Sequence, residues 1–240
     1  MTAFFHTIIS VPFYNGFILL ISALPFFDAG VVVIVFTLII KLILLPVSIK
    51  ASLAQLQQKS VEKDINLIKD KYKDNKEEQS RKIMEHYKSN GINPFAGIFI
   101  AIIQLPILIG LYRVFLRSGL PVINTAMLYS FVKAPVTVNM IFIHLLDISQ
   151  KSLILAIIAG VTTYFQVSYA SSAQPVQGGK QGDIASAMAV QMKYLLPIFM
   201  VYIAYIISVA GALYLITSNV FAIGQEIYIK KKYHKAALVV

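Results

Sequence analysis

VVVIVFTLIIKLILLPVSIK, residues 31–50, governs how the rest of the chain is read. Ten residues that are apolar or Thr lead up to Lys41, and Leu-Ile-Leu-Leu follows it. A hydrocarbon core of about 30 Å takes roughly 20 such residues as a helix, which puts the lysine near mid-span. A charge at that depth costs on the order of 3 kcal/mol even on the lenient insertion scale, so it has to face water or a partner. Thr37, Lys41 and Ser48 are spaced 4 and 7 apart, which gathers all three on one helical face.

Composition points the same way. The 240-residue chain is 58% hydrophobic and 13% charged, with a mean hydropathy of +0.73. One soluble core of this size could not hide so much apolar surface, so lipid is the expected solvent for much of it. A net charge of +10 suggests anionic partners such as lipid headgroups or ribosomal RNA. The absence of Cys excludes disulfides and thiolate metal sites. With no Trp, an interfacial aromatic belt must come from the 13 Tyr and 15 Phe.

Working outward, the expected fold class is all-α: a polytopic membrane protein with five transmembrane helices, a cytoplasmic coiled-coil hairpin and an N-terminal interfacial helix. The spans are placed at 31–51, 93–116, 152–170, 194–207 and 209–229, with a sharp turn in 208–211 between the last two. Residues 1–30 are apolar but interrupted by Pro12, Asn15, Gly16 and Pro25, and form the outer-face interfacial segment. Residues 52–92 form the hairpin, 117–151 an outer connection, 171–193 a flexible cytoplasmic linker and 230–240 a basic tail. Lys and Arg are absent from 1–30, but ten lie between Lys50 and Lys88 and four in the tail. The positive-inside rule then puts the N-terminus outside and the C-terminus in the cytoplasm, which requires an odd number of spans.

In the hairpin, Val61, Ile65, Ile68 and Tyr72 recur at spacings of 4, 3 and 4, the seam of a coiled coil. Asp74-Asn75 reads as its turn, and Ile83 with Tyr87 as the return seam. A maintained seam suits docking or regulation better than a mere spacer. The third expected span carries a polar stripe of Thr162, Gln166 and Tyr169, the fifth one of Tyr214, Ser218 and Gln225, and the second carries Gln104. Such stripes either glue helices together by hydrogen bonds or line a shared hydrated cavity. The apolar stretches offer Lys41 no carboxylate: Asp28 and Asp147 fall outside, and Glu226 comes near the cytoplasmic end of the fifth span, off its polar stripe.

A cation in a wet, low-dielectric groove attracts acidic groups and polar backbone. A polar tail or loop that must cross the bilayer could pause there while its hydrophobic segment slides out into lipid, with no nucleotide, metal or covalent step and no cofactor. An enzyme is not expected. The histidines (His6, His86, His144, His234) are scattered, and neither HExxH nor GxSxG occurs. Gly178-Gly179-Lys180 lacks the Ser or Thr of a phosphate loop, since Gln181 follows. A channel or lipid scramblase remains the alternative use of a polar groove.

Three stretches carry a family resemblance: TLIIKLILLPVSIK (37–50), NGINPFAGIFIAIIQLPILIGLYRVF (90–115) and GALYLITSNVFAIGQEIYIKKK (211–232). With the spacing between them, they resemble the YidC family of membrane insertases, related to the Oxa and Alb proteins of organelles. The resemblance implies a five-span core and a groove open to cytoplasm and lipid, in the bacterial plasma (inner) membrane. It also implies that the basic residue of the first span, usually Arg and here Lys41, receives the substrate. Lys keeps the charge without the bidentate fork. Gln166 matches a polar groove position, while Ile98 and Ile100 stand where relatives often carry Cys and Pro. The form resembled is the minimal bacterial one, lacking the large outer domain. The expected groove residues are Lys41, Thr37, Gln104, Gln166, Tyr214 and Ser218. The expected partners are nascent membrane proteins, membrane lipids, the ribosome through hairpin and tail, and, by resemblance alone, the Sec translocon and targeting machinery; DNA is not among them.

Overall fold

The computed structural model describes residues 6–93, 106–107, 109–110, 113–114, 120–170 and 179–233, with side chains left aside at 6, 179–192 and 233. Helices make up nearly all the regular structure there, as an all-α class requires. They are α1 (Val11–Ala23), α2 (Ala29–Ser60), α3 (Glu62–Lys71), α4 (Lys76–Ser89), α5 (Leu153–Tyr169), α6 (Gly179–Ile207) and α7 (Val209–Tyr233). One short antiparallel ladder pairs β1 (Ile141–Phe142) with β2 (Leu146–Asp147), in the register Ile141↔Asp147 and Phe142↔Leu146. Among the described residues, α2 alone is long and apolar enough to cross a bilayer by itself; Leu153–Tyr169 and Lys193–Ile207 are shorter apolar helices. The expected second span and Gln104 fall almost wholly outside the described residues.

The chain divides into two compact units. The first comprises Met1–Ile43, Ile102–Thr163 and Ile198–Phe221. In it, α1 buries Tyr14, Phe17, Ile18 and Ile21, whose spacing defines one helical face. Phe13 and Phe17 meet the Phe36 ring of α2 edge-on, at 5.7 and 6.0 Å. Pro12, Asn15 and Gly16, which interrupt the apolar run, all lie within this helix. Pro12 sits in the first turn, where no backbone donor is needed. Gly16 brings α1 close to α2, since a Cβ there would stand 3.1 Å from the Phe36 ring. Asn15 is buried and donates its amide to the Met127 carbonyl at 2.8 Å, while its oxygen accepts the Tyr129 N–H at 2.6 Å.

α2 is capped by Asp28, whose Oδ1 accepts the Val31 N–H at 2.9 Å. Its exposed residues Leu38, Ile39, Leu42, Ile43, Pro46 and Val47 follow an i, i+1, i+4, i+5 rhythm and form one apolar stripe. At about 100° per residue, the stripe lies across the helix from Thr37, Lys41 and Ser48. α2 also runs on to Ser60, past the expected boundary at residue 51, because 52–60 (SLAQLQQKS) contains neither Gly nor Pro to stop it. α6 likewise starts at Gly179, inside the stretch read as a flexible linker.

The turn between α6 and α7 is a single residue. Ser208 takes φ 110°, so α6 can end at Ile207 and α7 begin at Val209. The orphan N–H groups at the start of α7 are met from the loop before α5: Val209 donates to the Gln150 carbonyl at 2.8 Å and Ala210 to the Ile148 carbonyl at 3.0 Å. Residues 207–215 are buried without a break.

The second unit comprises Leu44–Ala101, Tyr164–Pro197 and Ala222–Val240. Here α3 and α4 fold back on one another, with Asn75 capping α4 by accepting the Glu78 N–H at 3.1 Å. Val61, Ile65 and Ile92 form a buried cluster, and Ile68, Ile83 and Tyr87 pack against it. Ile92 joins from beyond the expected seam, whereas Tyr72 serves as the C-cap of α3. Burial pushes the Tyr87 phenol above its ordinary pKa, with Glu62 adding to the shift.

The Ser208 backbone lies where only glycine is at ease, and its buried hydroxyl has no hydrogen-bond partner among the described residues. Ser208→Gly removes both costs and is expected to stabilise the protein by about 1 kcal/mol, read as a higher melting midpoint in detergent. Ser208→Val should lower that midpoint.

Candidate functional site

Thr37 is fully buried on α2, and its hydroxyl donates to the Val33 carbonyl at 2.7 Å. A Thr inside an apolar helix commonly satisfies its donor in this way, one turn back. Lys41 follows one turn later and is half-buried. On α7, Tyr214 and Ser218 are both buried. Thr37, Lys41, Tyr214 and Ser218 thus all belong to the first unit. Gln166, half-buried on α5, belongs to the second unit, and Gln104 lies outside the described residues.

Two clusters of polar side chains both use α7. In the first unit, the Asn219 amide donates to Thr163 Oγ1 at 2.9 Å and Thr162 Oγ1 at 3.1 Å, with the Ala159 carbonyl at 3.4 Å. Thr162 and Thr163 each donate in turn to the Ala159 carbonyl, at 2.9 and 2.7 Å. One amide therefore ties α7 to α5. The small residues Ala156, Ala159 and Gly160 are buried along the same stretch of α5, the composition that lets helices approach closely in lipid.

In the second unit, Ser48 Oγ donates to Gln225 Oε1 at 2.5 Å and Ser52 Oγ to Glu226 Oε1 at 2.6 Å. The Gln225 amide reaches back to Ser52 Oγ at 3.5 Å, so four side chains link α2 to α7. Glu226 is only 7% exposed, and its second carboxylate oxygen has no hydrogen-bond partner among the described residues.

The polar groups were thus visible in the sequence, but their use differs from residue to residue. Ser48, Thr162 and Gln225, read as members of stripes, are spent on contacts between helices. Asn219, Thr163, Ser52 and Glu226 were not singled out for the site, yet they carry the firmest polar contacts. Asn219 and Glu226 had a legible signal, an amide and an acid within otherwise apolar helical runs. Ser52 had none, because it looks like the start of the soluble hairpin. Among the described residues, no three His, Cys, Asp or Glu side chains stand together in a way that could hold a metal ion.

The polar face of α2 bears a cation at Lys41 among apolar neighbours, and its other side is an apolar stripe. Such a helix presents a charged group on one side and a lipid-compatible surface on the other.

Comparison with known proteins identifies relatives along nearly the whole chain. A family model described as 60Kd inner membrane protein matches residues 21–236. The chain is 32% identical over 217 residues to the membrane protein insertase YidC of Clostridium tetani, covering 90% of this chain and 88% of that protein. It is 29% identical over 203 residues to YidC of Fusobacterium nucleatum, covering 85% and 86%. It is also 30% identical over 207 residues to the membrane protein insertase MisCA of Bacillus subtilis, covering 84% and 70%.

Asn219→Ala should destabilise the protein by about 1 kcal/mol, within the range found for interhelical hydrogen bonds in lipid. A double-mutant cycle with Thr163→Val in detergent melts should return a coupling of about 0.5–1.7 kcal/mol; simple additivity would show that the contact carries no energy.

Proposed function

The chain belongs to the 60Kd inner membrane protein family, the YidC and Oxa group, and on that premise we propose that it is a membrane protein insertase and folding chaperone of the bacterial plasma membrane. It receives the polar segments of nascent membrane proteins in a positively charged hydrophilic groove and releases their hydrophobic segments into lipid. The observation that carries this reading is the placement of Lys41: a half-buried cation midway along the apolar part of α2, across the helix from a continuous exposed apolar stripe. The insertase names of relatives that align over most of their own length support it.

The physical argument needs only electrostatics and solvation. An acidic or polar tail crossing hydrocarbon meets its largest barrier where nothing can replace its hydration. A fixed ammonium in a wet groove lowers that barrier for carboxylates, at roughly 4 kcal/mol for a pair 4 Å apart at an effective dielectric near 20. Thr37, Gln104, Gln166, Tyr214 and Ser218 line the groove in this proposal. Five spans carry it, with the N-terminus outside and the C-terminus in the cytoplasm. The α3–α4 hairpin acts as a coiled-coil module that, with the basic tail, meets the ribosome and the targeting machinery, and the protein works alone or beside the Sec translocon.

The test uses purified protein in liposomes and a short substrate with an acidic tail. Insertion without accompanying ion or lipid flux is expected; flux without insertion would instead make the protein a channel or scramblase. Lys41→Arg should retain insertion, Lys41→Ala should slow it about tenfold, which corresponds to roughly 1.4 kcal/mol, and Lys41→Glu should abolish it. Wild-type insertion by the Glu variant would end the electrostatic account.

A further inference from the structure

The turn joining β1 to β2 holds Ile143 at φ 46° and His144 at φ 62°. Turns with both central residues at positive φ normally use Asn or Gly, and a β-branched residue there is strained. Side-chain packing among the described residues leaves this turn largely uncovered. Ile143 is 52% exposed, and Leu145, which closes the turn through its N–H to the Phe142 carbonyl at 3.0 Å, is 77% exposed. The turn therefore presents bulky apolar side chains outward.

Its height is fixed by the start of α2. The Ile143 N–H donates to Asp28 Oδ2 at 3.2 Å, while the other oxygen of the same carboxylate caps α2. The Ala29 N–H donates to the Asn139 carbonyl at 2.8 Å. Gly30 lies against the Phe142 ring so closely that a Cβ there would come within 2.4 Å of it. The tip is thus pinned level with the first turn of α2, where the apolar run begins. Just before Asp28, Phe26 is 97% exposed and Phe27 52%.

We propose that Phe26, Phe27, Ile143 and Leu145 form an interfacial anchor, seated at the boundary of headgroups and acyl chains in the leaflet that α2 enters, with bilayer lipid as its occupant. Three observations favour lipid over a protein partner. The patch is continuous with the helix that carries the chain into hydrocarbon. Residues 120–150 contain only Lys133 and Asp147 as charged groups, and Asp147 Oδ1 is engaged by the Ser149 N–H and hydroxyl, so little charge is available to define a protein surface. A chain without Trp must also fix its interface with other large side chains, and two exposed Phe beside two exposed aliphatic residues supply them.

The absence of cysteine makes the test direct. Leu145→Cys, Phe26→Cys and, for comparison, Met84→Cys on α4 are each labelled with an environment-sensitive fluorophore. The full chain is then reconstituted in vesicles of phosphatidylethanolamine and phosphatidylglycerol. At the first two sites, blue-shifted emission is expected, quenched more strongly by lipid spin-labelled near the top of the acyl chain than by iodide in the buffer. The Met84 probe should show the opposite order. Water-like emission with iodide quenching at Leu145 and Phe26 would overturn the proposal. Protection from both quenchers would overturn it too, and would point to a second copy of the chain as the cover.

Discussion

A polar group placed in hydrocarbon has to find its partner inside the protein, and α7 is where most of those partners are gathered. Its first N–H groups are taken by the carbonyls of Ile148 and Gln150. Its middle holds α5 through Asn219, and its far end holds α2 through Gln225 and Glu226. Residues 207–215 are buried without interruption, so this helix meets protein on every side there. In water such polar side chains could turn outward at little cost. In lipid each one contributes to where a neighbouring helix stands.

That requirement explains what the sequence disclosed and what it concealed. Helical character was legible because long apolar runs in lipid leave the backbone few other ways to satisfy itself. The hairpin seam was legible at Val61, Ile65, Ile68, Ile83 and Tyr87, since 3.5-residue periodicity survives in a polar background. The β-turn was not legible, because Ile143 and His144 are poor residues for a turn and are held there by Asp28, more than a hundred positions away. The change of polarity at residue 51 marks where the apolar run ends and not where the helix does, because helix propensity stays the same across it. Asn15 stood out in the sequence only as an interruption of the apolar run; its use as a buried anchor was hidden because its partners lie in a distant loop.

For the candidate site, residue identity was easier to read than residue use. A lysine in an apolar helix announces itself by its cost. Whether a Ser, Thr or Gln lines water or binds a neighbouring helix depends on what stands opposite, and periodicity carries no such information. Ser48 and Gln225 bind one another, and Thr162 binds the Asn219 amide, so part of each stripe acts as adhesive.

The long helix that bears Lys41 also contains Pro46. Proline there supplies no N–H to the Leu42 carbonyl, and its ring crowds that turn. The rod is 32 residues long, about 48 Å, and its own hydrogen bonding is interrupted at this turn. The carbonyl left without that donor belongs to the residue next to Lys41, so the charge stands beside a gap in the backbone ladder rather than within an unbroken one.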